Sequence, residues 1–209
     1  MTMVKICGLS RVEDAQAAID AGADFLGFVF APARRQVTPR VARDLICALS
    51  GRSGVKTVGV FVDEQPARMN ELADFCDLDL IQLGAGEILR AGRLERPIMR
   101  VVDVEPSADS EVLAARIDAI SDEYVVLDTA SPGVGGGTGK TFNWSLVPEL
   151  RRPAFLAGGL DATNVASAIG AVHPAGVDVS SGVETAGHKD QRKIREFIRA
   201  VRAADAERI

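Results

Sequence analysis

Long hydrophobic runs are missing from this 209-residue chain, and no stretch approaches the roughly 18 uninterrupted apolar residues of a membrane span. No basic excess is present either: the formal charge is −5, with acids and bases interspersed, so nothing offers a cationic stripe to nucleic acid or to an anionic membrane. Cysteine is scarce, three residues at spacings that suit neither a metal site nor a disulfide framework. Cys47 and Cys76 fall among apolar neighbours in expected helices. The N-terminus reaches structured-looking sequence too soon for a signal peptide, and together with the free cysteines this gives the expectation of a cytoplasmic protein. Histidine is limited to His173 and His188, near a helix end and in the last loop, so neither reads as a catalytic base. Linkers, low-complexity tracts and charge blocks are also absent. With 47% apolar composition, residues 1–209 are expected to form one domain with its own core and a small-molecule ligand.

What is present is alternation. Eight short apolar runs recur: Val4 to Cys7, Phe25 to Phe30, Thr57 to Val62, Asp79 to Leu83, Pro97 to Val102, Tyr124 to Asp128, Ala154 to Ala157 and Gly176 to Ser180. Most are continuously apolar, as in parallel strands covered on both faces. Helical periodicity lies between them. Ser10 and Glu13 have capping-box spacing ahead of Val12, Ala15 and Ile19, and Gly22 supplies a stop. Thr38 and Pro39 open a second helix with Val41, Leu45, Ala48 and Leu49 inward. Leu113, Ile117 and Ile120 mark another; Val165, Ala168, Ile169 and Val172 follow a cap near Asp161 to Thr163; Ile194, Phe197, Ile198 and Val201 mark the last. Only Glu87 to Leu94 looks short. Strand starts fall 18 to 32 residues apart, the size of a right-handed strand-helix-strand unit. The fold class is therefore α/β, a single parallel eight-stranded (β/α)8 (TIM) barrel, in preference to a doubly wound open sheet.

Barrels of this kind carry reactive residues at the C-terminal ends of strands. Cys7 ends the first strand and Asp128 the sixth, a thiol and a carboxyl that suggest one acid/base site. Asp178, inside the apolar run of strand eight, points to the barrel mouth or serves the structure. Gly158-Gly159 and Ser180-Ser181-Gly182 follow strands seven and eight, where backbone N–H groups commonly hold a phosphate; ordinary tight turns are the plain alternative. Arg34-Arg35, after strand two, present guanidinium groups suited to a carboxylate. Gly139-Lys140-Thr141 resembles the end of a phosphate-binding P-loop, but Val134 occupies the required first glycine, and a glycine-hinged lid is the better reading of 135–141.

Lys5-Ile6-Cys7-Gly8, Gly27-Phe28-Val29-Phe30, Val58 to Val62, Ile81-Gln82-Leu83, Leu127-Asp128, Gly136 to Phe142, Ala157-Gly158-Gly159-Leu160 and Val177 to Glu184 together resemble phosphoribosylanthranilate isomerase, a family of tryptophan biosynthesis. The resemblance runs from about residue 3 to about residue 200 and covers every strand end. It implies an Amadori rearrangement of N-(5-phosphoribosyl)anthranilate to 1-(2-carboxyphenylamino)-1-deoxyribulose 5-phosphate, without metal or organic cofactor, in a monomer or homodimer. It further implies Cys7 as general base, Asp128 as general acid, Arg35 at the anthranilate, and Gly158, Gly159, Ser180, Ser181 and Gly182 at the phosphate, with Asp178 also at the substrate. The chemistry asks that burial raise the pKa of the acid and that a positive charge or helix terminus lower that of the thiol. Two departures lie on the rim: Gly84-Ala85-Gly86-Glu87 stands where a histidine and glycine are usual, and the loop before Arg35 is shorter, leaving the choice between Arg34 and Arg35 open. A related aminoaldose-phosphate isomerase and a catalytically silent sugar-phosphate barrel are the competing readings. The first generally uses paired aspartates; the second has no need of both Cys7 and Asp128.

Overall fold

The computed structural model describes residues 1–49, 54–84, 93–130 and 141–208. Eight parallel strands close into a barrel in chain order: β1 Met3–Cys7, β2 Phe25–Val29, β3 Lys56–Phe61, β4 Leu80–Leu83, β5 Ile98–Val104, β6 Tyr124–Thr129, β7 Ala154–Leu156 and β8 Gly176–Val179. Closure is made by β1 against β8, with Lys5 opposite Asp178. Each expected strand is present within two residues of its expected ends.

Side chains alternate across each strand, so the inward set fills the barrel and the outward set meets the helices. Inside, Phe25, Tyr124 and Phe155 meet edge to face, with centroids 5.3–5.8 Å apart. Val58, Leu80, Met99, Val126 and Ala157 complete this plug. Outside, Val4, Ile6, Leu26, Phe28, Ile81, Leu127, Leu156 and Val177 pack beneath the helices in the larger core.

The helices are α1 Val12–Ala21, α2 Pro39–Ala48, α3 Pro66–Cys76, α4 Ser110–Asp118, α5 Val165–Val172 and α6 Gln191–Ala206. The capping box expected at Ser10 and Glu13 does not form: Arg11 is the N-cap, no side chain caps α1, and Arg11 instead grips Asp14 through two hydrogen bonds. Gly22 does end α1, in left-handed backbone. Thr38 caps α2 as expected, accepting from the Val41 N–H. The buried face of α2 is rotated from expectation, because Ala42, Leu45 and Ile46 point in while Val41, Cys47 and Ala48 are exposed. At α5 the cap is Asn164, and Asp161 forms a turn just ahead by accepting from the Thr163 N–H. The inward faces of α5 and α6 are those expected. The short helix sought at 87–94 falls mostly outside the described residues. Between β6 and β7 the described chain contributes only a 3-10 turn, Trp144–Leu146. Unforeseen is a small hairpin after β8, β9 Glu184–Thr185 against β10 His188–Lys189, reached through the 3-10 turn Ser181–Val183.

Candidate active site

A cavity of about 480 Å³ opens at the C-terminal ends of the strands. Cys7, Asp128, Arg34, Arg35, Gly158, Gly159, Asp178, Ser180 and Ser181 all line it, although they come from five separate places in the chain. Gly182 does not; it packs behind the wall, against the Leu160 carbonyl. Val29, Val60, Val62, Pro32 and Leu160 give one side of the cavity an apolar wall. Neither His173 nor His188 is among the lining residues. The lid residues 135–140 lie outside the described residues, as do Ala85, Gly86 and Glu87, while Gly84 donates its N–H to the Phe61 carbonyl.

Two glycines make the geometry possible. Gly27 is paired with Cys7 across β1 and β2, and a methyl group there would come within 2.9 Å of the Cys7 sulfur. Gly158 has φ +84°, and its missing side chain leaves room for Thr129 and for Asp128 Oδ1. Gly158→Ala is therefore expected to cost about 1–2 kcal/mol from the left-handed backbone alone, to displace Asp128, and to lower kcat about tenfold. Urea unfolding and steady-state kinetics on the same preparation read both effects.

The electrostatics divide the two reactive groups. Burial, then the nearby Asp178, push the Asp128 carboxyl up to about 6, against the Thr129 N–H that donates to it at 2.7 Å. That is the direction a proton donor needs. The thiol moves opposite to expectation: burial raises Cys7, outweighing Lys5 and Lys189, which favour the thiolate. Composition gave no warning, because the sulfur is far more deeply enclosed than a strand-end position suggests.

Sequence reasoning also missed three charged residues. Lys5 is fully buried and donates to Asp178 Oδ2 at 2.8 Å. Its signal was available, since a lysine two residues before Cys7 in an apolar strand shares the inward face. Lys189 is buried and donates to the Ser180 carbonyl at 2.7 Å and to Glu184 at 3.0 Å. Glu184 in turn accepts from both Arg34 and Arg35, with 2.5 Å contacts to each. Burial would raise the Glu184 carboxyl, but Arg35, Lys189 and Arg34 together hold it down at about 2. No local sequence pattern joins Glu184 to arginines about 150 positions earlier.

Glu184 stability is thus fully present above its unfolded value near 4.5 and is lost as pH falls toward about 2. Glu184→Gln is expected to cost about 1 kcal/mol at pH 7, after allowance for solvent around Arg34, and less at pH 3.5. Denaturant unfolding at the two pH values checks the sign.

Among the described residues no group of three or more His, Cys, Asp and Glu is placed to hold a metal ion, and none of the described helices is long and apolar enough to cross a membrane.

A closed parallel barrel with titratable side chains gathered at the C-terminal mouth is the layout of a (β/α)8-barrel enzyme. A family model described as N-(5'-phosphoribosyl)anthranilate (PRA) isomerase matches residues 4–200. The chain belongs to that family, and is an isomerase of tryptophan biosynthesis. It is 46% identical to the N-(5'-phosphoribosyl)anthranilate isomerase of Desulforudis audaxviator over 98% of this chain and all of the relative. Its fold is similar to the Thermotoga maritima phosphoribosyl anthranilate isomerase, with a TM-score of 0.83 and 36% identity over 97% of this chain and 100% of that one. The Thermotoga maritima enzyme is dimeric and has also been solved as monomers generated from that dimer. A further isomerase structure, with a TM-score of 0.78 and 33% identity over 97% of this chain and 100% of that one, holds reduced 1-(o-carboxyphenylamino)-1-deoxyribulose 5-phosphate.

Proposed function

We propose that this isomerase rearranges N-(5'-phosphoribosyl)anthranilate in the cavity at the barrel mouth, with Asp128 as general acid and Cys7 as general base. The observation that carries this is the convergence of the two groups on one cavity, from strands 121 positions apart in sequence, with the carboxyl raised to about 6. Asp128, protonated, donates to the furanose ring oxygen; the C1–O bond breaks, leaving a protonated imine. Its positive charge acidifies the proton on C2, and Cys7 takes that proton while the C2–H electron pair forms the C1=C2 bond of an enolamine. A proton gained at C1 and one lost from the C2 hydroxyl then give the ketone. Because burial raises the thiol, Cys7 first gives its own proton to solvent at the open cavity mouth, and the nearby lysines together with the imine's positive charge favour the thiolate that then takes the C2 proton.

The binding roles follow the cavity. Gly158, Gly159, Ser180 and Ser181 are assigned to the phosphate, with Gly182 supporting the turn from behind. The wall of Val29, Val60, Val62, Pro32 and Leu160 suits the anthranilate ring. Arg35 is assigned to its carboxylate: Glu184 takes its Nε and one terminal nitrogen, leaving the rest of the fork for the ligand. Arg34 is the more exposed of the two and is spent on Glu184 and the Gly187 carbonyl. Asp178 offers an unpartnered Oδ1 among the lining residues, and is assigned to a sugar hydroxyl.

Residues 1–209 are taken as one domain, because β1 closes on β8 and Asp205 on α6 accepts from the Thr2 N–H and hydroxyl. A reducing cytoplasm suits a mechanism that needs a free thiol. A homodimer is taken as the solution state, by likeness to the dimeric relative, and sedimentation checks it. Loss of anthranilate fluorescence on adding purified protein to phosphoribosylanthranilate tests the activity. Binding without turnover would favour a silent barrel instead.

A further inference from the structure

Lys5 has no part in the roles above, yet it is the largest fully buried charged side chain of the barrel. Burying an ammonium is costly unless each donor finds a partner. On the β2 side its register partner is Phe25, part of the apolar plug with Tyr124 and Phe155, which offers none. Above it is Asp178 Oδ2, at 2.8 Å, and the Cys7 side chain follows two residues on along the same strand. The closing register of β1 on β8 sets Lys5 directly opposite Asp178, and the pleat sets Lys5 and Cys7 on one face.

We propose that Lys5, anchored by Asp178 and sharing the inward face of β1 with Cys7, is a positioning residue that supplies the charge against which the Cys7 thiolate forms. This rests on the reading of Cys7 as the base. The groups facing Cys7 are Lys5 on its own strand, Asp178 on β8, Lys189 on β10 and Asp128 across the mouth on β6. Arg35 and Glu184 lie beyond, paired with each other. β4 presents Gln82 and the turn after β7 presents Ala157, neither of which titrates. Of the two lysines, Lys189 is drawn away by the Ser180 carbonyl and Glu184. Lys5, although paired with Asp178, shares the inward face of β1 with Cys7 and has no second carboxylate among the described residues to draw it off. Asp178 both anchors Lys5 and opposes the thiolate, so the two residues act on Cys7 in opposite directions.

The test is the pH dependence of Cys7 alkylation by iodoacetamide, followed by peptide mapping that separates Cys7 from the exposed Cys47. Lys5→Met is expected to move the Cys7 midpoint up by about one pH unit or more, and to lower kcat about 10–100-fold with KM within about threefold. Part of the lost rate returns as pH is raised. Asp178→Asn is expected to move the midpoint down, and the double variant to fall between. A structural ion pair alone would lower stability in each single variant and leave the midpoint in place. Unmoved midpoints in Lys5→Met and in the double variant overturn the proposal. If variants carrying Lys5→Met do not fold, an unmoved or raised midpoint in Asp178→Asn overturns it. Near-wild-type turnover in Cys7→Ser would instead overturn the thiol-base reading, while the alkylation midpoints still report on Lys5.

Discussion

Cys7→Ser and Asp128→Asn are each expected to lower kcat by about two decades or more, with KM changed little, as for groups that act in the transition state. A serine hydroxyl fits the space left by Gly27 but ionises far above any working pH, so the C2 proton has no acceptor. An asparagine keeps the hydrogen bond from the Thr129 N–H yet has no proton to give to the ring oxygen. The two defects differ in their pH profiles. With Asp128 intact the rate falls as pH rises through about 6 and the acid is lost; Asp128→Asn removes that limb, while Cys7→Ser keeps it. Fluorescence-monitored turnover between pH 5 and 9 separates them, and near-wild-type rates in either variant refute its role.

The same Asp128→Asn substitution is expected to stabilise the protein by about 2 kcal/mol at pH 8. Asp128 binds its proton more tightly in the folded chain, about 6 against 3.8 unfolded. Its charged form is thus the unfavourable one to bury: stability falls as pH rises from about 3.8 through about 6, and the full cost persists above. Asparagine removes the cost at pH 8 and gains nothing below pH 3.8. Urea titrations at pH 8 and pH 4.5 should show the advantage shrinking as the native carboxyl is protonated. Equal stability at pH 8 would mean that the carboxylate is better solvated than its burial implies. A variant that loses turnover while gaining stability is the behaviour of a residue retained for chemistry.

Strand order was legible because each strand carries its own apolar run, and the barrel followed from eight of them at crossover spacing. The placement of Cys7, Asp128 and the Gly158 turn at the barrel mouth was legible because position at a strand end is a local property. What failed was whatever depends on three-dimensional company. The α2 face was misplaced because Val41 and Ala42 are both apolar, and only packing on α3 and the barrel decides between them. The Ser10 cap failed because Arg11 found Asp14. The shift of the Cys7 thiol went the other way because enclosure outweighs two lysines, one of them supplied by a hairpin that no pattern foretold. Glu184 stood in the sequence two residues after Gly182, but both its arginine partners come from the loop after β2.

The ion pair of Lys5 with Asp178 also has a bearing on synthesis. While a growing chain lacks β8, a lysine in β1 has no carboxylate opposite it, and an uncompensated ammonium resists being enclosed. The barrel's interior is thereby kept from sealing around an unfinished set of strands. Partial chains leaving the ribosome would hold their first strand loosely and have no competent pocket, and locking of β1 would coincide with the arrival of Asp178.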